Sequence, residues 1–423
     1  MRITRVLAVP VRGGFFTDDQ AAIRGGAARD GFGYVGPPVT RGFTSVRQPA
    51  QALSVLLELD DGQVAHGDCA AVQYAAVGGR DPVFSAVEAA RVVDAVVAPA
   101  LLGRELSTYP DLADELDALE VGGTLLHTAI RYGVSQAALD AVARARRVTM
   151  AEVVRDDYAT GVELRPVGVF AQCGDERYDN VDKMVLHGVE ALPHGLVNAV
   201  ADKVGADGGL LVDYVRWVRR RVLALRADPS YAPVLHLDVY GTLGLAFGGD
   251  VDRIADYLLH LESVASPLPL RVEHPLDAGS RPAQIAAMVA LRTAVRARGG
   301  RVQLAVDEWC NTVGDVAAFV EAGAADVVHV KVPDLGGLGN TVEALMSLRR
   351  SGVLAYCGGS ATETDRSAQV TAHVAMACGA DQLLAKPGMG VDEGIMIVRN
   401  EMARVQALAA LRQSTADGDR PLR

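Results

Sequence analysis

The chain has 423 residues, half of them hydrophobic, and a net charge of −11. That length allows two domains with a large core, and the apolar content excludes a disordered chain. The acidic balance, with no basic tract, argues against nucleic-acid binding, and no apolar run is long enough to cross a bilayer. Small anionic substrates remain open, because they need only local positive charge. The opening stretch, Met1-Arg-Ile-Thr-Arg-Val-Leu-Ala-Val-Pro10, is too short in apolar residues for a secretory signal. Five cysteines (Cys69, Cys173, Cys310, Cys357, Cys378) with no CxxC pair read as reduced thiols of a cytoplasmic protein.

Residues 1–10 alternate as a strand does. Residues 11–45 are Gly-rich and of mixed charge, and are expected to form a long loop of the kind that serves as a lid. Residues 51–61 and 63–68, joined through Gly62, read as a hairpin. Apolar spacing then predicts helices over 84–102, 111–119, 133–146 and 150–154. Strands first and helices afterwards indicate a separate α+β domain over residues 1–160. From Pro166 the pattern alternates. Strands are expected at 167–171, 184–186, 234–239, 270–273, 302–306, 327–330, 353–356 and 382–385. Helices are expected at 208–226, 250–265, 282–298, 313–322, 340–350 and 366–378. Eight strands with intervening helices define an α/β fold, a (β/α)₈ barrel of the TIM type over residues 161–423.

Four residues carry the chemistry: Asp238, Glu273, Asp307 and Lys331. Each ends or follows a short apolar run, and they stand 35, 34 and 24 residues apart. That is about one strand-plus-helix unit each time, which brings all four to the C-terminal mouth of the barrel. A single strand-end acid is commonly a helix cap or a surface ion-pair partner. Three at this spacing form an oxygen cage for a hard divalent cation. Lysine is rare here, with four (Lys183, Lys203, Lys331, Lys386) against 37 arginines. Arginine serves wherever a fixed cation suffices and cannot act as a base. Lys331 at a strand end is therefore expected to give up and take up a proton. A cation bound to a substrate carboxylate stabilises the enediolate left when a neighbouring C–H is deprotonated, and it lowers the pKa of a nearby lysine. Strand parity turns His329 toward the same face as Lys331, and His236 toward that of Asp238.

The longest distinctive stretches extend this reading. They are Gly67-Asp-Cys-Ala-Ala-Val-Gln-Tyr74, Phe170-Ala-Gln-Cys-Gly-Asp-Glu-Arg-Tyr-Asp-Asn-Val-Asp-Lys-Met184 and Leu192-Pro-His-Gly195. Asp307-Glu-Trp-Cys-Asn-Thr312, Pro333-Asp-Leu-Gly-Gly337 and Leu384-Ala-Lys-Pro-Gly-Met-Gly-Val-Asp-Glu-Gly394 complete the set. With them the chain resembles bacterial methylaspartate ammonia-lyases, of the enolase superfamily, over nearly its whole length. The resemblance implies a homodimer that reversibly eliminates ammonia from threo-3-methylaspartate to give mesaconate, with Mg²⁺ and stimulation by K⁺. It implies Mg²⁺ on Asp238, Glu273 and Asp307. It makes Lys331 the base for the C3 proton of the (2S,3S) substrate, and His194 the base on the opposite face. Gln73 and Gln172 would face the amino end, and Phe170, Tyr356 and Leu384 would wall the methyl pocket.

The chain departs from the family at His329, where a glutamine is expected, and at His274, where a glycine is. Ser360-Ala361 replaces Thr-Cys, and Thr362 replaces an asparagine. His329, His274, Ser360 and Ala361 fall where the family holds substrate carboxylates. The alternative reading is thus the same ammonia-lyase chemistry on a different amino acid. Racemisation or cycloisomerisation fits the Pro333–Gly337 and Leu192–His194 motifs poorly. A non-catalytic metal-binding scaffold leaves Lys331 and His194 without a role. A Schiff-base aldolase built on Lys331 leaves the three carboxylates unexplained. The Leu-Gly-Gly-Leu-Gly run at 335–339 lacks dinucleotide spacing and a Walker lysine, and reads as a tight turn. His66, His127, His187, His260 and His373 have no ligand spacing and are assigned structural roles.

Overall fold

The computed structural model describes residues 1–76, 79–385 and 390–416. The Lys386–Met389 part of the last motif lies outside these. The N-terminal part is built on an antiparallel sheet of β1 (Ile3–Asp18), β2 (Arg47–Leu59) and β3 (Val64–Ala70), in that spatial order. One sheet face is covered by α1 (Thr128–Arg146), a helix buried along most of its length. Two glycines allow that contact. A Cβ at Gly67 would overlap the Gly133 carbonyl, and one at Gly133 would overlap the Cys69 amide. The edge of β3 is not left bare, because the Gln136 side-chain amide donates to Asp68 O at 3.0 Å and accepts from Asp68 N at 3.3 Å.

The expected loop over 11–45 is shorter than the sequence suggests. Residues 11–18 continue β1, with an irregularity in register between Arg12 and Phe16. Its glycines serve close approach rather than flexibility. A Cβ at Gly13 would run into the Thr362 carbonyl, and Gly14 N donates to Glu363 O at 2.9 Å. Gly13-Gly14 therefore lays β1 against the barrel rim. A short helix, Gln20–Arg24, and a two-residue-strand hairpin follow.

The barrel closes through eight parallel strands: β4 (Gly168–Phe170), β5 (Ala191–His194), β6 (Val234–Asp238), β7 (Leu270–Glu273), β8 (Gln303–Val306), β9 (Val327–Lys331), β10 (Leu354–Gly358) and β11 (Gln382–Leu384). Seven of these strands fall where the sequence places them. The second does not, because Met184-Val-Leu lies within the helix Asp179–His187, and the strand is Ala191–His194. Val181, Met184 and Val185 are that helix's buried residues, so the 3-4 spacing of an amphipathic helix governs the run. Inside the barrel, Phe170, Ala191, Ala305, Val327, Tyr356 and Leu384 form a buried apolar layer. The layer gives the charged groups at the mouth a low-dielectric neighbour.

Candidate active site

The strand ends place the predicted residues. Asp238, Glu273 and Lys331 are the last residues of β6, β7 and β9, and Asp307 follows β8 directly. The backbone then turns sharply, through positive φ at Tyr240 (+48°), His274 (+47°) and Trp309 (+66°), and at His194 itself (+64°). Side chains other than glycine are strained there, at a cost of about 1–3 kcal/mol each. His274 shows why a glycine suits its position, since the left-handed backbone is one that glycine adopts freely. The His274 ring is buried and its Nδ1 makes no hydrogen bond.

Glu273, Asp307 and His329 offer ligand atoms that all lie within 4.8 Å of one another. Lys331 Nζ donates to Asp307 Oδ2 at 2.6 Å, and His329 Nδ1 stands 3.2 Å from Asp307 Oδ1 and 3.5 Å from Glu273 Oε1. The Glu273 carboxylate is held from two further sides, by Tyr356 OH donating to Oε1 at 2.5 Å and by His236 Nε2 at 2.8 Å from Oε2. Asp238 accepts from Tyr240 N at 3.0 Å, and its Oδ2 lies 3.4 Å from His194 Nε2. The chain thus brings the three acids, Lys331, His194 and His329 to one mouth, but the tightest cluster contains His329 rather than Asp238.

The electrostatics follow from burial. Burial and the charges of Glu273 and Asp307 push the Asp238 carboxyl well above the usual range. Glu273 and Asp307 are held below it, although burial opposes this, by the histidines and by Lys331. Burial lowers His194 to about 3 and His236 to about 4. His329 goes the other way, because Asp307 and Glu273 outweigh its burial. Asp307 likewise outweighs burial at Lys331 and raises it. Three buried carboxylates of which one resists ionisation, beside a histidine whose Nδ1 faces two of them and whose Nε2 has no hydrogen-bond partner, are a donor set that fits a divalent cation.

The remaining predicted residues ring this centre. Gln172 Nε2 lies 3.2 Å from His194 Nε2. Phe170 stacks on His236 (centroids 4.2 Å apart, planes at 5°), and Tyr356 stacks on His329 (4.1 Å, 21°). Leu384 completes the floor. Gln73 comes from the N-terminal part, with its amide N donating to Ser360 Oγ at 2.8 Å and its side chain to Asp18 Oδ2 at 3.2 Å. Ala361 follows Ser360 and is half-buried.

Sequence reasoning assigned no role to His236, although its parity with Asp238 was legible. It also missed Arg80, a buried arginine from the N-terminal part that pairs with Asp334 (2.9 Å) and Glu308 (2.8 Å) beside Lys331. No spacing signal links Arg80 to partners more than two hundred residues away. Two motifs prove partly structural. In the first, Thr312 and Asp315 form a capping box. In the second, Gly337 N and Asn340 bind Asp117 at 2.7 and 2.9 Å, which fits the tight-turn reading of 335–339.

A closed eight-stranded parallel barrel under an α+β layer is a fold this chain shares with other solved enzymes. The L-Ala-D/L-Glu epimerase of Bacillus subtilis shares that fold at 15% identity, with a TM-score of 0.62 over 94% of this chain and 91% of its own. Family models for the methylaspartate ammonia-lyase N-terminus and C-terminus match residues 1–159 and 161–411. The chain belongs to the methylaspartate ammonia-lyase family. It is 53% identical to the Clostridium tetanomorphum methylaspartate ammonia-lyase over 413 residues, 98% of this chain and 100% of that one. A solved structure of that enzyme as a Mg complex superposes with a TM-score of 0.93, covering 97% of this chain and all of the other. The Citrobacter amalonaticus enzyme, solved with (2S,3S)-3-methylaspartic acid, is 47% identical with a TM-score of 0.95, over 97% of this chain and all of its own. This chain is a carbon–nitrogen lyase that eliminates ammonia. None of its described helices is long and apolar enough to cross a membrane.

Proposed function

We propose that the chain eliminates ammonia from threo-3-methylaspartate to give mesaconate, with Mg²⁺ held by Asp238, Glu273 and Asp307. The observation that carries this is Lys331 Nζ at 2.6 Å from Asp307, inside a cluster of buried acids at the barrel mouth. A divalent cation there supplies a Lewis acid for the substrate carboxylate and offsets the Asp307 charge that otherwise holds the proton on Lys331. Lys331 Nζ then takes the C3 proton of the (2S,3S) substrate. The electron pair left on C3 becomes the C2–C3 double bond as the C2–N bond breaks, and ammonia leaves.

His194 faces the cluster from β5, across the mouth from Lys331. Burial keeps its ring neutral, which leaves a ring nitrogen free to face the opposite C3 epimer, the role assigned to it by kinship with the family. Gln172, against the His194 ring, and Gln73, tied to Ser360, are assigned to the amino end. Phe170, Tyr356 and Leu384 present the apolar floor that suits a methyl group. His329, Ser360 and Ala361 are assigned to the carboxylates. We place the domain boundary at residue 160, with residues 1–160 as a cap that delivers Gln73 and Arg80, and residues 161–423 as the barrel. Five free, buried cysteines support a cytoplasmic setting. Kinship with the family supports K⁺ stimulation and a homodimer.

One observation favours a second substrate reading. The His329 ring, stacked on Tyr356, fills space beside the base, and a differently shaped amino acid would then be preferred. Ammonia release from (2S,3S)-3-methylaspartate with Mg²⁺ and K⁺, run beside Lys331→Ala, separates the two. Turnover that vanishes in the variant supports 3-methylaspartate as substrate. A folded, Mg²⁺-binding protein without turnover shifts the assignment to another amino acid.

A further inference from the structure

The residues that converge most tightly at the mouth are Glu273, Asp307 and His329. His329 is 4% exposed and sits two residues before Lys331 on β9, so both side chains enter the same space. Its Nδ1 faces two carboxylates at once, 3.2 Å from Asp307 Oδ1 and 3.5 Å from Glu273 Oε1. Yet neither ring nitrogen completes a hydrogen bond. A buried imidazole normally has at least one ring nitrogen paired.

The ring is held in this pose. Tyr356 stacks against it at 4.1 Å, and the Tyr356 hydroxyl is itself fixed on Glu273 Oε1. The spacing has a simple geometric meaning. Two donors bound to one cation at about 2.1 Å, roughly at right angles, stand about 3.0 Å apart. The 3.2 and 3.5 Å separations from Nδ1 to Asp307 and Glu273 are close to that spacing, so one cation can replace the direct ion-pair contacts.

We propose that His329, in place of the direct carboxylate contact assigned to it above, is a nitrogen ligand of the divalent cation, which turns an all-oxygen site into a mixed nitrogen–oxygen one. This rests on the reading that the three acids hold a divalent cation. It has a selectivity consequence. Oxygen-only sets suit Mg²⁺, whereas imidazole favours Mn²⁺, Co²⁺ and their neighbours along the Irving–Williams order. The chain therefore discriminates in favour of Mn²⁺ and Co²⁺ over Mg²⁺ more strongly than an otherwise identical site with an amide at position 329. The imidazole also fixes one coordination direction from β9, next to Lys331, and so biases which side of the cation remains open to a substrate carboxylate.

The test uses the full chain and Mn²⁺ alone, read by pulsed electron paramagnetic resonance, with Mg²⁺ and Mn²⁺ affinities from calorimetry. The proposal expects directly coordinated ¹⁴N coupling in the wild type. The coupling should be lost in His329→Gln and kept in His194→Gln. The preference for Mn²⁺ over Mg²⁺ should fall by about tenfold in His329→Gln. Asp307→Asn, which should abolish Mn²⁺ binding, ties the signal to this site. Bound Mn²⁺ without ¹⁴N coupling, or coupling lost in His194→Gln but kept in His329→Gln, overturns the proposal and leaves the three-acid site standing. No binding of either cation by folded wild-type protein overturns both.

Discussion

Removing Lys331 should expose how this site balances charge before any cation arrives. Lys331 is the cation nearest Asp307, at 2.6 Å, and the gross attraction at an effective dielectric of 20 is roughly 6 kcal/mol. Part of that repays desolvation, and breaking a buried pair from one side costs about 3–5 kcal/mol. Lys331→Ala, free of divalent cation, should therefore lose about that much stability. In a chain of this size that is a fall of roughly 3–9 °C in Tm. Bound Mg²⁺ takes over the neutralising role and no longer meets the ammonium's repulsion, so the variant should bind it more tightly than the wild type does. At one hundred times its Kd, a ligand of the native state alone adds about 2.7 kcal/mol, and the variant should gain more than the wild type. Thermal melts of both proteins in EDTA and in a Mg²⁺ series measure this. The gap between them should shrink by more than half in Mg²⁺. An equal gap in both conditions would refute the picture of Lys331 and a cation sharing Asp307.

Tyr356→Phe keeps the stacking on His329 but removes the hydroxyl that donates to Glu273. It should destabilise the barrel by about 1.5–3 kcal/mol in urea unfolding, and no change would show that the bond carries nothing. Gly133→Ala forces a methyl onto the Cys69 amide. It should cost about 1–3 kcal/mol or more as α1 lifts from β3, seen as a lower Tm. Folding lowers the His194 pKa from its ordinary 6.5 to about 3. The unfolded chain then binds the proton first, so this contribution is complete above pH 6.5 and drains away as pH falls toward 3. His194→Gln should have a shallower loss of urea midpoint between pH 7 and 4.5 than the wild type, and identical slopes would contradict the assignment. All five thiols are buried, and burial raises Cys173 to about 11 and Cys378 to about 12. Iodoacetamide should label them slowly in the native protein and fully in urea, and rapid native labelling would count against the packing.

The barrel was legible in the sequence, and so were the strand-end acids and Lys331 as candidates for metal ligands and base. Each lies on a local signal: an apolar run sets a strand, and the polar residue at its end has only one place to go, the mouth. His329 was legible for the same reason, since strand parity fixes its direction. The second strand was not. Met184-Val-Leu is as apolar as a strand, and only the packing of Val181, Met184 and Val185 against the barrel shows it to be a helical face. Nor was the role of Gly13-Gly14, because the surface that needs a missing Cβ is a carbonyl at Thr362, far along the chain. Tertiary structure alone decided which donors share a point in space. It drew Glu273, Asp307 and His329 together, set Tyr356 and His236 on Glu273, and carried Arg80 and Gln73 across from the N-terminal part. Local periodicity specifies the direction of a side chain, whereas distances between strands of a closed barrel come from stagger and tilt, which no single segment encodes.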